Sequence, residues 1–161
     1  MSLPPDVTVA ALAERQGRFL VVEERIARRL VFNQPAGHVE RGETLLQAVA
    51  RETREETAWR FTGEAFLGAY LWHHPGRRRA SLRFAFIGSV ADHDALQPLD
   101  HGILRTHWLT RAELLEREAR LRSPLVLRCI DDYLSGQRRP LDEVAHLDMY
   151  GARDIPAVDV P

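Results

Sequence analysis

The sequence predicts an α+β fold, with helices packed on a mixed β-sheet in an α/β/α sandwich. Three observations carry this expectation. Apolar strand-like segments come in hairpin pairs separated by short Gly-containing or polar turns. Helical stretches interrupt them singly instead of following every strand. The order is therefore mixed and not a run of βαβ units, which favours helices against antiparallel or mixed strands.

The elements follow in chain order. Residues 6–15, DVTVAALAER, are rich in Val and Ala and read as a strand. QGR is a turn, and FLVVEER (19–25) is its hairpin partner. LVFNQPAGHVERGE (30–43) begins as a short strand and becomes a loop at Pro35 and Gly37. Residues 44–57 hold no Gly or Pro and read as a helix. EAFLGAYLWHHP (64–75) and ASLRFAFIGSVAD (80–92) are two strands around a GRRR tip. In the second, Leu82, Phe84 and Phe86 alternate with Ser81, Arg83 and Ala85. DHGILRTHWLT (100–110) is a loop and a last strand. Thr110, with Glu113 three residues on, signals a capped helix over 111–121. Ser123 as cap and Pro124 at the first position open a final helix that stops at Gly136. Beyond Arg139-Pro140 the pattern turns irregular, so the expected organisation is one domain over 1–141 and an irregular tail over 142–161.

Composition narrows the function. A length of 161 residues fits one domain, and 45% apolar residues suffice for a core. A net charge of −1 provides no global field for nucleic acid or an acidic membrane. The chain has no lysine, and all 22 basic residues are arginine. The single Cys129 excludes an internal disulfide and lies in an apolar helical run, as an inert buried thiol does. No apolar run is long enough to span a membrane, and no signal-like start is present, so a soluble cytoplasmic protein is expected. No long apolar stripe is left over, which favours a monomer.

The informative stretch is RETREE, residues 51–56. On a helical wheel Glu52, Glu55 and Glu56 fall within about 100° of arc. Leu46, Val49, Ala50 and Thr53 occupy the adjoining arc, with Leu45 at the acidic border. Acids at this spacing repel one another unless something positive sits between them. A salt-bridged surface helix is one reading, with Arg51 and Arg54 as partners. The flanks support another. The loop QPAGHVERGE leads straight into the helix, and Gly37 and Gly42 allow it to fold back. Carboxylates and loop carbonyls would make an all-oxygen site that suits Mg²⁺ or Mn²⁺. Such a site supports attack of water on a phosphoanhydride.

Gly37, Glu43, Arg51, Glu52, Glu55 and Glu56 fall at the spacing of the Nudix box, and the chain resembles the Nudix hydrolases. It departs at two positions: Ala58 stands where the box has glycine, and Thr53 where it has an apolar residue. A glycine at 58 would take the left-handed conformation at the helix exit. VTVA, FLVVEE, NQPAGH, LRF, RSPLV and SGQR extend the likeness over most of residues 7–141, toward the NudJ-type phosphatase subgroup. The resemblance implies Mg²⁺-dependent release of phosphate from nucleoside di- and triphosphates, thiamine pyrophosphate or its pyrimidine pyrophosphate precursor. It implies that Glu52, Glu55 and Glu56 ligate metal with the carbonyl of Gly37 or Ala36. Glu52 or a downstream acid is the base, and Arg51 pairs with Glu43 to lock the loop. The alternative is a Nudix-fold binding or regulatory module without turnover, in which box glutamates are expected to be missing.

Other residues keep two readings. Arg83, inside an apolar strand, needs a substrate phosphate or a structural carboxylate. Trp72, His73 and His74 can stack on a ring, or Trp72 can simply cover half-buried strand. The adjacent histidines point to opposite faces and cannot share a metal. Asn33 and Gln34 can bond a heterocycle or cap loop carbonyls. Arg77, Arg78 and Arg79 form a solvated tip. Asp92, Asp94 and Asp100 are candidates for a fourth acid.

Overall fold

A computed structural model describes residues 4–147. Its strands are β1 (Asp6–Arg15), β2 (Arg18–Ile26), β3 (Arg29–Asn33), β4 (Ala36–His38), β5 (Arg60–His73), β6 (Ala80–Ala91) and β7 (Ile103–Leu109). The helices are α1 (Leu45–Thr57), α2 (Arg111–Leu115) and α3 (Leu125–Leu134). The sheet runs β3-β2-β1-β6-β5, with β4 also on β1 and β7 also on β2. Only β1 and β6 pair in parallel among the described residues. The α+β expectation is met: one core lies on each face of the sheet.

β1 shows why its sequence is almost continuously apolar. Val9, Ala11 and Ala13 pack toward α1 with Val49, Phe66 and Phe86. Leu12 packs the other way, with Phe19, Leu114, Cys129 and Ile130 under α2 and α3. A strand covered on both faces has no polar side to alternate with. Cys129 is fully buried, as expected.

α1 is fixed at both ends. Thr44 and Gln47 form a reciprocal capping box. His146 reaches back from the far end of the described chain and its Nε2 accepts the Leu45 amide at 2.9 Å. At the exit, Ala58 adopts the left-handed conformation (φ 58°) and donates to the Arg54 carbonyl. The alanine therefore performs the turn a glycine would, at the steric cost of its Cβ. Trp59, next in sequence, lies 4.6 Å from the Arg15 guanidinium, which also rests on Trp108.

Several expected details are corrected. Ala48, and not the half-buried Ala50, completes the core arc of α1 with Val49 and Thr53, while Leu45 shares the azimuth of the acids, as the wheel placed it, and is buried at the helix start. β5 begins at Arg60, not residue 64, because register shifts at Gly63/Ala65 and Phe66/Gly68 break its alternation. β4 is a three-residue strand inside the segment read as loop. The helix expected over 111–121 stops at Leu115 and resumes only as a 3₁₀ turn, Glu118–Arg120. There the chain must straighten: Leu121 bridges to Phe32, and the Arg122 amide donates to the Phe32 carbonyl. Ser123 does not cap α3 with its side chain, and Pro124 itself occupies the cap position. In the expected tail, residues 148–161 lie outside the described residues. In its described part, Val144 packs on the α1-side core.

Candidate active site

The loop from β3 to α1 folds against α1, and the contact is set by Gly37. A Cβ there would sit 2.0 Å from the Glu52 carboxylate carbon. The Glu52 carboxylate thus lies directly on the bare α-carbon, and a side chain at 37 would displace it. One turn further along α1, Glu56 accepts the Ala36 amide through Oε2 at 2.9 Å. Glu52 and Glu56 lie on the same azimuth as the core residue Leu45, two and three turns along. The stripe that is apolar at the start of α1 is acidic at its end, where it leaves the core for a cleft.

Arg51 holds this arrangement together. Its Nε and Nη2 donate to the two Glu43 oxygens at 3.0 and 2.7 Å, a bidentate pair. Nη2 also donates to the His38 carbonyl, and Nη1 to Glu52 and Glu55, each at 3.0 Å. One guanidinium therefore joins the loop, its backbone and two helix acids. Burial opposes ionisation of Glu43, but Arg51 and the Glu40 amide outweigh it and hold its carboxyl below the ordinary value.

The cleft above Glu52 and Glu56 has a volume of about 890 Å³. Its acid end is formed by Glu52, Glu56, Glu24 and Asp100. Burial pushes the Glu56 carboxyl up to about 9, against the pull of the Ala36 amide, and Glu52, Glu24 and Asp100 push it further. Burial also raises Glu52 and Glu24. Its other walls carry Arg29, Arg77, Arg79, Arg83 and Arg122, with Trp72 and His74. Trp72 and His74 face each other at 4.0 Å between ring centroids.

The predicted residues separate here. Gly37, Glu52, Glu56, Arg83, Trp72 and Asn33 line the cleft. Glu55 does not; it is half-exposed and turned to Arg51. Gln34 is buried behind the wall, donating to the Val126 carbonyl and accepting from Arg83 Nη1. Arg83 is largely buried at the cleft wall and hydrogen-bonds to no carboxylate; its Nη2 donates to Asn33 Oδ1 at 3.4 Å. Of the downstream acids, Asp100 lines the cleft and is tied to α1 by its amide on the Glu55 carbonyl. Asp92 pairs with Arg60, and Asp94 lies 4.0 Å from Arg54. At the tip, Arg79 pairs with Asp6. Glu24 was not found from sequence; its place on β2, in a charged FLVVEER run, gave no signal.

The donor set fits a hard divalent cation. It offers carboxylates and loop carbonyls without sulfur, and its acids are desolvated and repel one another. Among the described residues no three acids, histidines or cysteines are already gathered as a metal cage, and Glu52 and Glu55 both bond Arg51.

Comparison with known proteins gives the class. The NUDIX domain model matches residues 3–129, and the chain belongs to the Nudix family. It is a hydrolase acting on phosphoanhydrides, and enzymes of this family generally use a divalent metal. Among curated proteins, the chain is similar to phosphatase NudJ of Escherichia coli K12. The identity is 41% over 140 residues, spanning 87% of this chain and 90% of that protein. Among solved structures, a NUDIX hydrolase from Nitrosomonas europaea superposes with TM-score 0.88 at 41% identity. That match covers 91% of this chain and 99% of the other. A UDP-X diphosphatase structure shares the fold, with TM-score 0.67 at 15% identity, over 85% of this chain and 66% of that one.

Proposed function

We propose that the chain uses Mg²⁺, with Mn²⁺ as a substitute, to release phosphate from nucleoside di- or triphosphates or from thiamine-related pyrophosphates. One observation carries the reading: two desolvated carboxylates, Glu52 on the bare α-carbon of Gly37 and Glu56 on the Ala36 amide, stand at one end of a cleft whose walls carry arginines. Glu52, Glu56 and the Gly37 carbonyl would hold the ion, and Glu55 would join on leaving Arg51. When bound, such an ion neutralises phosphate charge and makes water more acidic.

The remaining roles belong to the protein. Arg51 and Glu43 hold the loop so that Glu52 stays over Gly37. Glu52, or Asp100 as the downstream acid within the cleft, accepts the proton of the attacking water. Arg83, fixed through Gln34 to α3, and Trp72 orient the rest of the substrate. The NudJ relatives are named as phosphatases, which supports release of phosphate.

The test is a substrate panel followed by phosphorus NMR. Nucleoside di- and triphosphates, thiamine pyrophosphate and hydroxymethylpyrimidine pyrophosphate are each incubated with Mg²⁺. Orthophosphate from at least one compound is expected. A folded protein that binds these compounds without turnover would instead be a Nudix-fold binding module.

A further inference from the structure

We infer that His146 is a positioning residue for the helix that carries the acids: its neutral imidazole pins the start of α1, and protonation releases it. The use of α1 as a metal platform rests on the hydrolase reading; the latch itself does not.

The first turn of a helix leaves its amides without intrahelical acceptors. In α1 the capping box satisfies two amides at this end. Thr44 Oγ1 accepts the Gln47 amide at 3.1 Å, and Gln47 Oε1 accepts that of Thr44 at 2.8 Å. The Leu45 amide lies between them, and its acceptor comes from 101 residues away. His146 Nε2 takes it at 2.9 Å. An amide only donates, so Nε2 must present its lone pair and the ring proton sits on Nδ1. Protonation of Nε2 removes the acceptor and places a cation against the positive end of a helix. Bond and charge then act in one direction, and the contact opens.

The ring is held there by a strap. Arg139 exchanges backbone hydrogen bonds with Phe66 on the outer edge of β5. A 3₁₀ turn, Leu141–Glu143, follows, and Leu141 and Val144 pack on the α1-side core. From the β5 edge the chain therefore crosses to the start of α1, where His146 is half-buried. The strap lies beyond residues 3–129, the part that the NUDIX domain model matches. What it holds stands next to the anchor of the acids. Glu43 precedes the cap, and the arginine of its bidentate pair, Arg51, also bonds Glu52. A first turn freed at Leu45 loosens that anchor first.

Neighbouring charges do not set the proton affinity of the ring. α1 carries no acid in its first turn, and the Glu43 carboxylate before it is engaged by Arg51. Glu40 and Arg41 of the same loop are exposed. On the strap, Glu143 pairs with Arg139, and Asp142 is exposed. On β5, Arg60 pairs with Asp92, and Glu64 is exposed. Burial is the one cause that acts on His146, and it holds the ring below its ordinary 6.5. The unfolded chain therefore takes up this proton at a higher pH than the folded one. The contribution of the ring is complete above pH 6.5 and is lost as pH falls through the folded value.

The test compares wild type, His146→Gln and His146→Ala at about pH 8 and about pH 5.5, on either side of the histidine range. Glutamine keeps an acceptor that does not titrate, and alanine keeps none. Differences between the proteins cancel the titration of Glu24, Glu52 and Glu56, which all three share. At the higher pH the alanine variant should melt about 2–4 °C below the other two. At the lower pH wild type should move toward the alanine variant while the glutamine variant stays above both. Exchange of the Leu45 amide, read by NMR, should quicken about threefold to tenfold in wild type relative to His146→Gln over that interval. With Mg²⁺, the ratio of wild-type to His146→Gln kcat should fall about threefold from the higher pH to the lower. A melting gap between wild type and His146→Gln that does not change with pH would overturn the latch. A kcat ratio that stays constant while the melting gap changes would overturn the positioning role. If wild type releases no phosphate at all, the hydrolase reading fails, and Leu45 exchange decides: a pH-dependent difference supports the latch, and equal rates overturn it.

Discussion

Gly37→Ala is the sharpest perturbation of this site. The added methyl carbon would lie 2.0 Å from the Glu52 carboxylate carbon, and ordinary contact begins near 3.4 Å. The carboxylate must therefore retreat by about 1.4 Å. Misplacing a reacting group by about 1 Å costs on the order of 100-fold in rate, so kcat/KM should fall at least that far. The backbone itself accepts alanine: Gly37 is not in the left-handed region, and it sits in regular pairing with Val9. The melting temperature should therefore move by no more than about 4 °C, the equivalent of roughly 1 kcal/mol at this size. Gly42→Ala is the matched control. There φ is +89° and no atom lies within 4 Å of the added carbon, so it should cost about 1 kcal/mol of stability and little activity. Metal-dependent phosphate release and thermal melting read both variants. A Gly37→Ala enzyme within threefold of wild type would refute the claim that Glu52 acts from its seat on this α-carbon.

Other perturbations separate stability from chemistry. Glu43→Gln breaks the bidentate Arg51 pair and should cost about 2 kcal/mol, read as a melting temperature roughly 4–8 °C lower at pH 7. Because the folded Glu43 carboxyl lies below its ordinary 4.5, its contribution is complete above that pH and is lost on acidification through the folded value. Melting curves of wild type and variant should converge there, and curves that stay apart at low pH would remove the pair as the cause. Ala58→Val should destabilise by about 2–4 kcal/mol, since a β-branched residue resists left-handed backbone. Ala58→Gly should stay within about 1 kcal/mol, relief of strain being offset by lost burial and a freer unfolded chain. Urea unfolding distinguishes them, and equal effects would deny the left-handed exit. Leu45→Glu should lose roughly 3 kcal/mol or more by placing an unpaired charge in the core, and should not melt cooperatively near wild type.

The box was legible because its spacing is local. Gly37 to Glu56 is one loop and one helix, and both period and turn residues are written in the sequence. The same holds for the paired strands on either side of QGR. What was not legible depends on neighbours distant in sequence. Glu24 and Asp100 reach the cleft only because β2 and the loop before β7 are brought beside α1, and no spacing encodes that. Arg83 was recognised as needing a partner, yet its partners proved to be the amides of Asn33 and Gln34, fifty and forty-nine residues away. Glu55 sits on the acidic arc of the wheel but turns to Arg51, four residues before it, which also holds Glu43. The helix after Thr110 had a good cap and still stopped early, because β3 requires Leu121 to be extended. Local propensity yielded to sheet pairing there.

The central claim is that the acids of α1 form the platform for metal-dependent hydrolysis. It is tested most directly by phosphate release with and without Mg²⁺, in wild type beside Glu56→Gln. The account predicts turnover that requires Mg²⁺ and falls by about 100-fold or more in the variant, while its melting remains cooperative. Wild-type turnover in Glu56→Gln, or turnover unaffected by removing Mg²⁺, would contradict it.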